Sequence, residues 1–479
     1  MTQLAETPIV AAYCAGHTIG HGTLLPLVSP NTLEIIGRLS ETPAAAVSQI
    51  VQAAADAHQK HRRATAAQRS KWLTNAADAL AAAADEVAAL IVDDVGKPRR
   101  VAAGELLRSV DFIHACAREV LQIGGDVLPL DAIPAGAGHF GFTRRVPLGV
   151  VAAITPFNAP ANLLCQKVAP ALAMGNAVIA KPHPAATRAA VRIARAFSEG
   201  GIPDGLFSVV TGDKEAAVEL VRHGLVRAVS FTGGNHAADA LARAAGAKKF
   251  LSELGSNAAN VVLADADLED AAKRIAGAAF EASGQQCVSA QRIIVEASVY
   301  DRFTELFVAA ASALRVGPAI DPKTDIGPMV SQAQADRVMR MARDAVAMGA
   351  RFALEPKQQG CTVSPGIIVE APRNAAVWCE EAFGPIAVVE RARDAQEALV
   401  MANDSEFGLQ GAVFTSNLKH AFLFSEEFDV GSLWVNEASR YRLDTYPFGG
   451  SKRSGSGREG VRYAMEELSQ LKFTGMRIG

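Results

Sequence analysis

An α/β fold built on parallel sheets is the expectation from this 479-residue sequence, and three observations carry it. Beyond Val146, short β-branched runs alternate with helix-patterned stretches, as strands joined by crossover helices do. An Ala-rich stretch with apolar positions at helical spacing precedes this alternation. Apolar residues make up 49% of the chain, enough to fill sizeable cores in roughly two to four domains.

Taken in order, residues 43–121 read as several amphipathic helices. The pattern changes at Gly124-Gly125, and 124–145 carries the Gly, Pro, β-branched and aromatic residues of a hairpin. Strands are expected at 150–154, 177–180 and 206–210, with helices over 161–172, near 185–198 and after 210. A second alternation begins after Gly255, with strands at 259–263 and 292–295 and helices over 267–282 and 298–314. The tail, 471–475, is strand-like again, and no internal repeat is present.

A net charge of −3 with mixed signs gives no basic stripe, so neither nucleic acid nor an anionic membrane surface is indicated and the expected partner is a small molecule. Six widely spaced cysteines without a Cys-x-x-Cys pair signal no metal site and no disulfide framework. The opening residues Met-Thr-Gln-Leu-Ala-Glu lack a basic segment leading into an apolar core, and a cytoplasmic, reduced setting is expected.

Cys287 lies in Ala-Ser-Gly-Gln-Gln-Cys-Val-Ser-Ala-Gln-Arg (282–292), and Glu253 lies upstream in Phe-Leu-Ser-Glu-Leu-Gly-Ser (250–256). A thiol among small polar residues and a carboxylate are what a covalent thioester mechanism needs, a nucleophile to hold an acyl group and a base to hydrolyse it. Taken alone, Cys287 reads more readily as a small apolar filler and Glu253 as a surface residue at a strand end.

Runs spread along the chain narrow the choice. Thr155-Pro-Phe-Asn158, Lys181-Pro182, Phe231-Thr-Gly-Gly234, Glu253-Leu-Gly255, Gly284-Gln-Gln-Cys287, Glu380-Glu-Ala-Phe-Gly-Pro385 and Pro447-Phe-Gly-Gly-Ser-Lys452 resemble the motifs of the aldehyde dehydrogenase superfamily, in that family's order. The resemblance starts near Val28-Ser-Pro-Asn31 and takes in Val95-Gly-Lys-Pro98. It implies a Rossmann-like cofactor domain (1–123 and 146–254), an α/β catalytic domain with a parallel sheet (255–450), and a small β oligomerisation element (124–145 and 466–479). It further implies a homodimer or homotetramer.

The resemblance makes Cys287 the nucleophile, Asn158 the oxyanion donor with the Cys287 backbone N–H, Glu253 the deacylating base, and Lys167 part of a proton route. On spacing alone Asn158 serves equally as the cap of a helix starting near Pro160, and Lys167 as a solvated lysine. The cofactor, NAD or NADP, is implied at Ile154, Thr155, Pro156, Phe157, Lys181, Gly212, Phe231, Thr232, Gly233, Gly234, Leu254, Glu381 and Phe383. There Lys181 serves the adenosine ribose, and Glu381, backed by Phe383, the nicotinamide ribose. The usual Gly-x-Gly-x-x-Gly is absent, Gly234 stands where many relatives have Ser, and Ala238 where a further Gly is common. Pro184 replaces the Glu that in NAD-selective relatives repels a 2′-phosphate, with His183 and Arg188 either phosphate partners or solvated residues at a helix start.

The loop 436–448 resembles that of a subgroup acting on short substituted aldehydes, among them lactaldehyde, glycolaldehyde, glyceraldehyde phosphate and phosphono- or sulfo-aldehydes. Arg440 and Arg442 could hold an anionic substituent there, with Asn162 as a polar wall. Arg108 is either a further candidate or an exposed helical residue. The expectation is NAD(P)-dependent oxidation of a small aldehyde; the alternatives are a CoA-acylating relative, disfavoured by Glu253, and a non-catalytic structural relative.

Overall fold

The computed structural model describes residues 7–19 and 22–478, so the opening hexapeptide and the last residue of the 466–479 element lie outside the described residues. The predicted helical stretch forms four helices, Ala44–His61, Ala66–Ala82, Ala84–Val95 and Arg99–Glu119. Thr65 starts the second with a capping box to Gln68. Val47, Ile50, Leu73, Ile91 and Phe112 bury the inner faces of these helices in one core with the first sheet.

At the centre of that sheet are five parallel strands in the order Lys249–Glu253, Val226–Thr232, Val150–Thr155, Ala177–Pro182, Phe207–Val209. Two read as unbroken buried runs, Val-Val-Ala-Ala-Ile-Thr and Ala-Val-Ile-Ala-Lys-Pro, because helices cover both faces. From Val150–Thr155 the chain winds outward one way through 177 and 207, then returns and winds the other way through 226 and 249. Such a reversal opens a crevice at the carboxyl ends of the strands, where open α/β sheets bind ligands. Register places Thr155 opposite Pro182 and Thr232 opposite Glu253 at that edge.

The second sheet has the order Arg351–Leu354, Gly366–Val369, Ile386–Ala392, Arg292–Glu296, Ala259–Val262, Gln410–Phe414, Ser432–Val435, parallel except for its first strand. The expected hairpin appears as Val127–Leu128 against His139–Pro147, and Ser469–Arg477 pairs antiparallel along the whole of His139–Pro147.

Two features depart from expectation. The helix expected over 267–282 ends at Phe280, because Ala282, Ser283 and Gly284 take left-handed conformations (φ 54°, 60° and 62°) that no α-helix accommodates. The short strands Ala12–Cys14 and His17–Ile19 extend the far edge of the first sheet, and three residues each are too few to show a period in the sequence.

Candidate active site

Cys287 sits on a turn between the left-handed run and the strand Arg292–Glu296, and opens onto a cleft of ≈ 740 Å³ that Asn158, Asn162, Arg108, Arg440 and Arg442 also line. A side chain at Gly284 would collide with the Gly384 carbonyl, so glycine is required where the chain turns to present the thiol. The sulfur packs partly against the cluster of Val288, Leu409 and Phe448. Burial, with the charge of Glu381, pushes the thiol up to about 12, and Arg442 pulls the other way. The Cys287 backbone N–H donates to no described residue.

Asn158 does not cap the following helix. That helix, Pro160–Ala173, has Ala159 at its N-cap with no side-chain bond. Its first free N–H groups go instead to Glu105 Oε1, which accepts from Ala161 (2.8 Å) and Asn162 (3.0 Å). The Asn158 amide, half-buried in the cleft wall, bonds to no described residue.

Lys167 is buried rather than solvated. Its Nζ donates to Glu459 Oε1 (2.9 Å) and Ser230 Oγ (3.2 Å), while Arg442 Nη2 donates to Glu459 Oε2 (2.9 Å). Burial alone would raise the Glu459 carboxyl, but Lys167 and Arg442 together hold it at about 2. Glu253 is likewise buried and no surface residue; it lines a small separate cavity of ≈ 20 Å³ with Lys167, Ser230 and Glu459. That is room for about one water among polar partners. Burial, reinforced by the charge of Glu459, holds the Glu253 carboxyl well above its usual range, and its Oε2 has no hydrogen-bond partner.

The residues expected to hold a dinucleotide gather at the carboxyl edge of the first sheet. Ile154, Thr155, Lys181, Phe231 and Thr232 end its strands, and Pro156 and Phe157 follow directly. Gly233, whose Cβ would crowd the Phe231 ring, and Gly234, whose Cβ would meet open space, lead into the helix Asn235–Ala245, which has no side-chain cap. Gly212 has φ +126°. Leu254 is half-buried beside Glu253, and Phe383 meets Phe157 edge-on at 5.8 Å.

The polar groups at this edge suit a dinucleotide. The Thr232 hydroxyl is buried without a partner, and Lys181 is buried and drawn down to about 8 by desolvation. Glu381 accepts from the Ser256 N–H at 2.9 Å through one oxygen only, and burial lifts it to about 7. An uncapped helix N-terminus entered through glycines suits a pyrophosphate.

The two phosphate partners considered for NADP are otherwise engaged. Arg188 is bound to the buried Asp94 at 2.6 Å. Burial, with the charge of Lys181, takes His183 down to about 4, and its Nδ1 accepts from the Ala185 N–H.

The arginines expected to read a substrate are also engaged. Arg440 pairs with Glu281 and donates to Gln286 Oε1 at 2.7 Å. Arg442 lies over the Phe448 ring (3.6 Å to its centroid) and bonds to Glu459 and Gln166, while its buried Nε has no partner. Arg108 is no free helical residue: it grips Asp444 with two bonds, at 2.6 and 3.0 Å. Asn162 Oδ1 accepts from Gln166, and its buried Nδ2 has no partner.

Glu459, Glu105, Gln166 and Asp444 belong to this site and were not legible in the sequence. Only Gln166, one residue before Lys167, had a positional signal. Among the described residues no group of side chains could hold a metal ion, and all six cysteines are free.

Residues 18–474 match the model of a family described as the aldehyde dehydrogenase family. The 3-sulfolactaldehyde dehydrogenase of Priestia aryabhattai is 37% identical over 448 residues, covering 92% of this chain and 94% of that protein. The fold superposes on the NADP-dependent glyceraldehyde-3-phosphate dehydrogenase of Bacillus halodurans C-125 complexed with NADP (TM-score 0.95, 30% identity, 98% of this chain and 99% of that one). It superposes equally on an NAD-dependent aldehyde dehydrogenase of Sinorhizobium meliloti (TM-score 0.95, 30% identity, 100% and 97%).

Proposed function

The chain belongs to the aldehyde dehydrogenase family, and from that membership we propose that Cys287, Asn158 and Glu253 carry the oxidation of a small substituted aldehyde to its carboxylic acid. It is an NAD(P)-dependent enzyme. The observation that carries the assignment of residues is that the Cys287 sulfur, the uncommitted Cys287 N–H and the uncommitted Asn158 amide belong to one cleft.

In this reading the sulfur loses its proton to solvent water and adds to the aldehyde carbon, and the carbonyl oxygen becomes an oxyanion held by the two N–H donors. A bound nicotinamide supplies the hydride acceptor. Cys287 then carries the acyl group as a thioester, and Glu253 takes the proton of the water that hydrolyses it. Lys167 and Glu459 form a buried pair that lines the same small cavity as Glu253, and a water held there would carry that proton away. Lys181, Thr232, Glu381 and the turn at Gly233-Gly234 would hold the cofactor.

The substituent follows from the unpaired donors. Asn162 Nδ2 and Arg442 Nε are both buried in residues that line the cleft, and a buried donor left unpaired costs about 1–3 kcal/mol. A hydroxyl or anionic oxygen on the aldehyde would satisfy them, which accords with the sulfonated substrate named for the Priestia relative. Arg442 takes this part through Nε; Arg440, tied to Glu281 and Gln286, shapes the loop.

We assign the first sheet and its helices to cofactor binding, the second sheet to catalysis, and the three-stranded element to assembly of a homodimer or homotetramer. Among the described residues no helix is long and apolar enough to cross a membrane, and a working thiol is best kept in a reduced cytoplasm. Turnover of a short aldehyde panel with NAD and NADP tests the function. Cys287→Ala should yield no reduced cofactor, and turnover by that variant would overturn the assignment.

A further inference from the structure

The helix Pro160–Ala173 carries Asn162, Gln166 and Lys167, and begins two residues after Asn158. The first N–H groups of a helix have no partner within it, and an Asn just ahead of a helix is a strong candidate to supply one. Here each of the first four is accounted for without Asn158. Pro160 has no N–H, Ala161 and Asn162 donate to Glu105 Oε1, and Leu163 donates to the Ala159 carbonyl.

Glu105 comes from the distant helix Arg99–Glu119 and is itself held, its second oxygen paired with the Lys97 ammonium. Both members of that pair are buried. Lys97 is fixed in turn by Gly96, whose left-handed turn (φ +69°) brings the backbone against Pro30 and Pro328 too closely for a side chain. Lys97, Glu105 and Asn158 line the same cleft as Cys287.

We infer that Glu105, anchored by Lys97, is a positioning residue for the oxyanion site: by capping the helix Pro160–Ala173 from outside, it keeps the Asn158 amide free for the substrate oxygen. Without Glu105 the N–H groups of Ala161 and Asn162 lose their acceptor. Asn158 is then the preceding side chain able to supply one, and its amide would turn away from the cleft. The inference rests on the oxyanion role proposed for Asn158.

The test is a double-mutant cycle on Asn158→Ala and Glu105→Ala, reading the burst rate of cofactor reduction with glycolaldehyde in a single turnover. NAD affinity by fluorescence quenching and Cys287 alkylation by iodoacetamide are measured alongside. Asn158→Ala should slow the burst by about a hundredfold and Glu105→Ala by about tenfold or more, with NAD affinity and alkylation unchanged. In the Asn158→Ala background, Glu105→Ala should add less than about twofold, since residues acting through one another are not additive. Glu105→Gln, whose amide oxygen can still accept both N–H groups but whose NH2 faces the Lys97 ammonium, should lose less of the burst rate than Glu105→Ala.

If Glu105→Ala does not fold, Lys97→Met takes its place in the cycle, with an expected loss of about threefold that vanishes in the Asn158→Ala background. Losses that multiply, or a wild-type burst in Glu105→Ala or Lys97→Met, would overturn the inference while leaving the oxyanion role standing. A wild-type burst in Asn158→Ala would remove the oxyanion role itself, and the inference with it.

Discussion

Burial disfavours the charged forms of both Cys287 and Glu253, pushing the thiol up to about 12 and, with the charge of Glu459, the carboxyl well above its usual range. Each must lose a proton to act, so both steps should quicken as pH rises. Iodoacetamide labelling of Cys287 should keep rising through the alkaline range, and a plateau near neutrality would show a thiolate already formed. Glu253→Gln should give a first burst of reduced cofactor and then stall as acyl-enzyme, and steady turnover at the wild-type rate would refute its role as base. Asn162→Leu should raise KM for a hydroxylated or anionic aldehyde by about tenfold, the scale of one hydrogen bond, with little change for an unsubstituted aldehyde of the same length. Cys287, Glu253 and Asn158 could be singled out as candidates because each sits in a run that resembles a family motif. Glu459 and Glu105 could not be, since each acts on residues far away in sequence, and Arg440, Arg442 and Arg108 were legible as charges but not as charges already spent on Glu281, Glu459 and Asp444.

At the scale of elements, the alternation of strands and helices was legible because buried parallel strands are continuous apolar runs. The break at Phe280 was not, because Ala282 and Ser283 carry no signature of left-handed backbone, and only Gly284 among the three favours it. That break sets where the thiol points. Gly284→Ala, which adds strain at φ +62° and a clash with Gly384, should lower the thermal midpoint and abolish the burst. A variant of wild-type stability and activity would show that this turn does not place Cys287. The turn after Lys181 carries a second test: with Arg188 committed to Asp94, Arg188→Ala should leave the ratio of NADP to NAD affinity unchanged, and a selective loss of NADP binding would contradict that.

For the whole molecule, the three-stranded element is the part least able to exist alone. Ser469–Arg477 is one of its two outer strands, and among the described residues His139–Pro147 is the strand that pairs with it. Leu471 and Phe473, two apart and therefore on one face, are 56% and 53% exposed, while Val127 and Phe140, also exposed, lie by register on the opposite face. An outer strand and an uncovered apolar face together mark a surface for another chain, and a second copy of the same chain is the economical partner because symmetry covers both at once. Light scattering should therefore find at least a dimer. The double substitution Leu471→Lys and Phe473→Lys leaves the strand's backbone pairing intact and places two charges on that face, so it should shift the protein to monomer while the thermal unfolding of each subunit stays cooperative. A stable, active wild-type monomer, or a charged variant that assembles as wild type does, would show that this face is covered in some other way.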